Sequence, residues 1–98
     1  MADNRIYSEQ EKIQAALRFV EPDERDTWVQ VAIAIKSELG ENGFEIWDSW
    51  SAGSKRYKEA AAKSVWKSAN SKGITIGSLY GLAKRNGFNP AEYQTQVP

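Results

Sequence analysis

A chain of 98 residues, 41% hydrophobic and 27% charged, is long enough for one hydrophobic core and too short for two, which predicts one domain over residues 1–98 with its core over about 8–88. It contains neither cysteine nor histidine, which excludes disulfides, thiolate nucleophiles, the common zinc sites and every acid, base or nucleophile pair that relies on imidazole. The formal net charge is zero, yet residues 1–50 carry five basic against eleven acidic groups, a net of −6, while residues 51–98 carry eight basic against two acidic groups, a net of +6. An imbalance of that size points to an anionic partner for the second half.

In chain order, Ser8-Glu-Gln-Glu11 has the pattern of a capping box and opens a helix whose apolar positions are Ile13, Ala16, Leu17 and Val20. Glu21-Pro22-Asp23 closes it, because proline disfavours the α region in the residue before it. Asp26 is the expected N-cap of a second helix with Trp28, Val31, Ala32, Ile35 and Leu39 at helical spacing, and Gly40 is its expected stop. Its β-branched residues would also suit a strand; the sustained periodicity favours a helix. A short third helix is expected from about Gly43 to Trp50, followed by the Ser51–Ser54 breaker. A fourth is expected from near Tyr57 or Lys58 to Ala69, with Ala62, Val65, Trp66 and Ala69 as its buried stripe. After the Asn70–Gly73 turn, Thr75 can cap a fifth helix carrying Leu79, Leu82 and Ala83, which Asn86-Gly87 closes in a left-handed cap. Asn89-Pro90-Ala-Glu92 starts either a further short helix or a tail over 89–98. The fold class is therefore all-α, a small bundle of about five helices. The most apolar run, Val29–Ile35, is short and broken by Gln30, and the acidic, polar start is unlike a signal peptide. By elimination the expected location is cytoplasmic, with no membrane partner.

Lysines and arginines of the second half form the main candidate site. Taking about 100° per residue, Arg56, Lys63 and Lys67 fall on one flank of the expected fourth helix, roughly a quarter-turn or more from its apolar stripe. Lys55, Lys58 and Lys72 lie at that helix's ends, and Lys84 and Arg85 belong to the fifth. Such a row can neutralise phosphates and release condensed counterions, although the same pattern also suits an ordinary solvated helix face. Trp28, Trp47 and Trp66 fall on buried stripes and are assigned to the core. Trp50 and Tyr57 flank the Ser51–Arg56 loop and are candidates for stacking on the bases of a single strand. Thr75 and Ser78, beside glycines at a helix start, can contact a phosphate, although a capping role for Thr75 accounts for the same pattern. The carboxylates Glu21, Asp23, Glu24 and Asp26 fit a helix N-terminus better than a metal site. No catalytic constellation, metal site or cofactor is assigned.

Asp23-Glu-Arg-Asp-Thr-Trp28, Ala34-Ile-Lys-Ser-Glu-Leu-Gly40, Gly43-Phe-Glu-Ile-Trp-Asp-Ser-Trp-Ser51, Lys55-Arg-Tyr57, Trp66-Lys-Ser68 and Gly73-Ile-Thr-Ile-Gly-Ser-Leu79, in this order, resemble the second type of primase C-terminal domain, PriCT-2. The resemblance runs from about Leu17 to Phe88. It implies a small helical bundle attached to a primase-polymerase, TOPRIM or helicase domain of a phage or plasmid replication protein. It further implies a non-catalytic role in primer synthesis, holding template single-stranded DNA, with the catalytic primase, polymerase or helicase domain as partner. Two other roles remain compatible with the residues: a module docking on another replication subunit, and a helix-turn-helix regulator reading the major groove with its fifth helix.

Overall fold

A computed structural model describes residues 6–70 and 73–95. Five α-helices follow one another: α1 (Glu9–Leu17), α2 (Arg25–Leu39), α3 (Phe44–Ser51), α4 (Glu59–Ser68) and α5 (Ile76–Arg85). Single 3₁₀ turns occupy Gly40–Gly43 and Pro90–Glu92. The described residues form no strand, only an isolated parallel bridge between Tyr7 and Thr95. The fold is all-α, as the periodicity predicts.

The capping box forms as expected. Ser8 Oγ accepts from the Glu11 amide at 3.1 Å, and Glu11 Oε1 accepts from the Ser8 amide at 2.9 Å, so two amides that α1 leaves unpaired are satisfied. α2 departs from expectation at its start. Glu24, extended at φ −89° and ψ 127°, holds the N-cap position, and Asp26 lies within the first turn. Asp26 therefore contributes charge next to the positive end of the helix dipole rather than a capping hydrogen bond. Gly40, at φ +61°, ends α2, but the chain continues directly through the 3₁₀ turn into α3. Gly43 allows that close turn, since a Cβ there would lie 2.5 Å from Ile35 Cγ2. At the end of α5, Gly87 (φ +104°) donates to Lys84 O and the Phe88 amide to Ala83 O, a Schellman closure.

α2 is the central helix: Val31, Ala32, Ala34 and Ile35 are all fully buried. α5 packs on α2 and α1, whereas α4 packs on α2 and α3. Ile13, Ala16, Trp47, Ala62, Leu79 and Ala83 complete the centre of the core. Asn86 Nδ2 donates to Phe19 O, and Trp50 Nε1 donates to Val20 O. These bonds gather the C-terminal ends of α1, α3 and α5 at one end of the bundle. At the other end Lys36 Nζ donates to Trp66 O at 2.8 Å and pairs with Glu41 at 3.5 Å, while Trp66 Nε1 donates to Glu41 Oε1. The segment after Phe88 packs back on the bundle: Tyr93 stacks on Phe88 and lies 4.9 Å from the Tyr7 ring, and the Tyr7 amide donates to Gln94 O.

One node joins α2 to α3. Trp28 Nε1 donates to Ser51 Oγ at 2.7 Å, Ser51 Oγ donates to Trp47 O at 2.7 Å, and Trp47 Nε1 donates back to Trp28 O at 3.1 Å. The two indoles stack with centroids 5.0 Å apart. Among the described residues Ser51 is the one polar side chain buried in the core, where it serves both as acceptor and as donor. Ser51→Ala is expected to lower stability by ~1–2 kcal/mol in urea denaturation, because it leaves the Trp28 N–H without its partner. An unchanged unfolding midpoint would contradict this role.

Candidate nucleic-acid interface

The residues between α3 and α4 are held as a fixed turn rather than as the first turn of α4. Ser54 Oγ accepts from the Arg56 amide at 3.1 Å, and Ser54 O accepts from the Tyr57 amide. Tyr57 Oη donates to Asp48 Oδ1 at 2.7 Å, tying the turn to α3. Lys58 is extended and stands as N-cap, with no side-chain capping bond, so α4 begins only at Glu59. Arg56 is consequently not on the flank of α4, a correction to the helical-wheel reading. It sits with Lys55 in the preceding turn, and both are exposed.

On α4 itself, Lys63 and Lys67 are exposed, one turn apart, while Ala62 and Trp66 face the core. Lys63 pairs with Glu59 at 3.0 Å, both side chains being well exposed. Such a pair is worth only ~0.3–0.5 kcal/mol and yields readily to a polyanion. Lys55, Arg56, Lys58, Lys63 and Lys67 thus run from the turn along the outer side of α4. Lys84 and Arg85 are exposed but belong to a separate place at the end of α5. Arg85 lines a shallow depression with Glu21, Asp23 and Glu24, so the acidic α1–α2 turn stands between it and Arg56. Lys72 lies outside the described residues. The described second-half cations therefore form one group around α4 and a second at the end of α5.

Trp50 and Tyr57, expected as joint stacking partners, face different places. Trp50 is half-buried and lines a groove with Gln14, Arg18 and Ile46, between α1 and α3. Tyr57 lines a cavity of about 180 Å³ with Pro22, Asp23, Arg25, Trp28, Ser51, Ser54, Arg56, Lys58 and Ala61. Trp47 and Trp66 are core residues as expected, but Trp28 is only half-buried: one face lies on Trp47, and the residue also lines this cavity. Arg25 lies over the Trp28 ring at 5.9 Å. Neither Arg25 nor Trp28 is among the residues the sequence singles out for binding, since Arg25 lies in the acidic half and Trp28 on a core stripe.

Thr75 and Ser78 are at the start of α5, near the opposite end of the bundle. Thr75 occupies the N-cap position with an extended backbone, and its carbonyl accepts from the Ser78 amide, but its hydroxyl makes no capping bond. Glu21, Asp23 and Glu24 line the Arg85 depression. Among the described residues no group of three or more acidic side chains is placed to hold a metal ion, and no helix is long and apolar enough to cross a membrane.

The profile of the Primase C terminal 2 (PriCT-2) family matches residues 13–83, most of the chain. The chain belongs to that family. No curated protein and no solved structure matches it. The matched span runs from α1 into α5 and so includes both the α4 cations and the turn before them, as a PriCT-2 domain of primases.

The hydrogen bond to Asp48, with some desolvation and the nearby charges of Asp48 and Glu59, pushes the Tyr57 hydroxyl from 10.0 up to about 12. The raised value means that the contribution of this bond to stability is fully present below pH 10 and is lost as pH climbs through about 12. In an ultraviolet pH titration, Asp48→Asn should bring the Tyr57 transition back toward 10, identified by its disappearance in Tyr57→Phe. A transition unaltered by Asp48→Asn would show that the turn is not anchored in this way.

Proposed function

We propose that this domain holds template single-stranded DNA for the catalytic primase, polymerase or helicase domain of a phage or plasmid replication protein, and catalyses no step itself. The observation that carries the reading is the group of five exposed cations, Lys55, Arg56, Lys58, Lys63 and Lys67, around the start and outer side of α4. Only Glu59 opposes them within that segment. Family membership supports the primase setting. The mechanism is electrostatic: ammonium and guanidinium groups replace counterions along the strand, which gives affinity without reading sequence. The opposite charge of the first half orients the domain, so that a strand meets the α4 side and is repelled by the acidic segments. Lys84 and Arg85 take a secondary part, because Glu21, Asp23 and Glu24 lie beside Arg85.

Fluorescence anisotropy with a labelled single strand provides the test. Affinity should fall steeply with salt, with a logarithmic slope on the order of −3.5 for five phosphate contacts. Lys63→Glu combined with Lys67→Glu should abolish binding at moderate salt while leaving the melting temperature nearly unchanged, because both side chains are exposed. Unchanged affinity in the double variant would remove this surface from the reading.

A further inference from the structure

The cavity between the α1–α2 turn, the start of α2, the end of α3 and the start of α4 has a composition that the electrostatic reading does not use. Its apolar part comes from Pro22, Trp28, Tyr57 and Ala61, and three cations, Arg25, Arg56 and Lys58, stand around it. Asp23 is the one carboxylate, and Ser51 and Ser54 supply hydroxyls. The volume of about 180 Å³ is smaller than the ~300 Å³ at which pockets for whole drug-sized ligands begin, and suits a single flat heterocycle.

The two rings are held in place before any ligand arrives. Trp28 is fixed by its bond to Ser51 and its stacking on Trp47, and Tyr57 by its bond to Asp48. A base entering here therefore meets aromatic surface whose ordering cost was met during folding. Arg25 lies over the Trp28 ring at 5.9 Å, and Arg56 and Lys58 line the same cavity, so these cations stand close enough to the rings to meet the phosphates on either side of an inserted base. Asp23 presents an acceptor for an amino or imino proton, a group that every base carries.

We propose that this cavity accepts one unstacked nucleobase of the bound single strand, against Trp28 and Tyr57, with the neighbouring phosphates held by Arg25, Arg56 and Lys58. The proposal rests on the single-strand reading above and deepens it, from a charged surface to a surface with one base-sized socket. Binding then has a part that depends on charge alone and a part that depends on the presence of a base.

Two strands of equal length and charge separate these parts: oligo(dT), and the same backbone made entirely abasic. The wild-type domain should bind oligo(dT) at least tenfold more tightly at equal salt, and oligo(dT) alone should quench tryptophan fluorescence. Ala61→Leu fills the socket from the exposed start of α4 without changing charge. It should reduce oligo(dT) affinity to that of the abasic strand, with circular dichroism confirming the fold. Arg25→Ala gives a second variant, expected to weaken oligo(dT) binding severalfold. Equal binding of both strands by the wild type, or oligo(dT) affinity untouched by Ala61→Leu, overturns the socket while leaving the electrostatic reading intact. Failure of the wild type to bind either strand at low salt overturns that reading itself.

Discussion

The hydrogen-bonded ring of Trp28, Ser51 and Trp47 is the constraint on which the arrangement of this domain depends. It fixes the start of α2 to the end of α3 through two hydrogen bonds and one indole stack, with the third bond, from Ser51 to Trp47 O, closing the ring inside α3. Trp47 in turn contacts Trp66, with ring centroids 5.6 Å apart, so the same node reaches α4. Three tryptophans thus link the three helices that surround the basic turn. A core of aliphatic side chains alone would bury similar area but would not fix the direction of α3 relative to α2, because apolar contacts are not directional.

The placement of the basic turn follows from where this node stands. The chain leaves α3 immediately after Ser51, and the turn that follows is pinned by Ser54 and by the Tyr57–Asp48 bond. Arg56 and Lys58 are therefore presented from a stiff turn beside a half-buried indole. Stiffness at this place means that the cations of the turn are presented without a further ordering step. The far end, closed by Lys36, Glu41 and Trp66, is engaged in its own bonding, and Lys36 is occupied by a backbone carbonyl and a carboxylate. Lys36 is thus bound into the fold, whereas Lys55, Arg56 and Lys58 stand exposed at the start of α4.

Much of the fold was legible in the sequence because its signals are local. The Ser8–Glu11 box and the Asn86-Gly87 closure depend on residues a few positions apart, and the apolar spacing along α2 and α5 is regular. Asp26 was misleading because a good capping residue does not cap once Glu24, two positions earlier, takes the extended conformation. Helical spacing puts Arg56 on a helix flank, because nothing local announces that the Ser54 hydroxyl and the Tyr57 bond to distant Asp48 hold the segment as a turn. The cavity was not legible at all: its walls come from residues 22–28, 51–58 and 61, and only the packing of α2, α3 and α4 brings them together. Arg25 belongs to the acidic half of the chain, but in space it lines the cavity with Arg56 and Lys58.

Residue-resolved chemical-shift mapping during titration with oligo(dT) reports on the whole interface at once. The largest changes should fall on the Trp28 indole N–H and on the amides of Arg25 and Arg56 to Lys58, with smaller changes at Lys63 and Lys67. Changes confined to α5 and the α1–α3 groove, or none at concentrations where the strand binds, would contradict the placement of DNA on the α4 side.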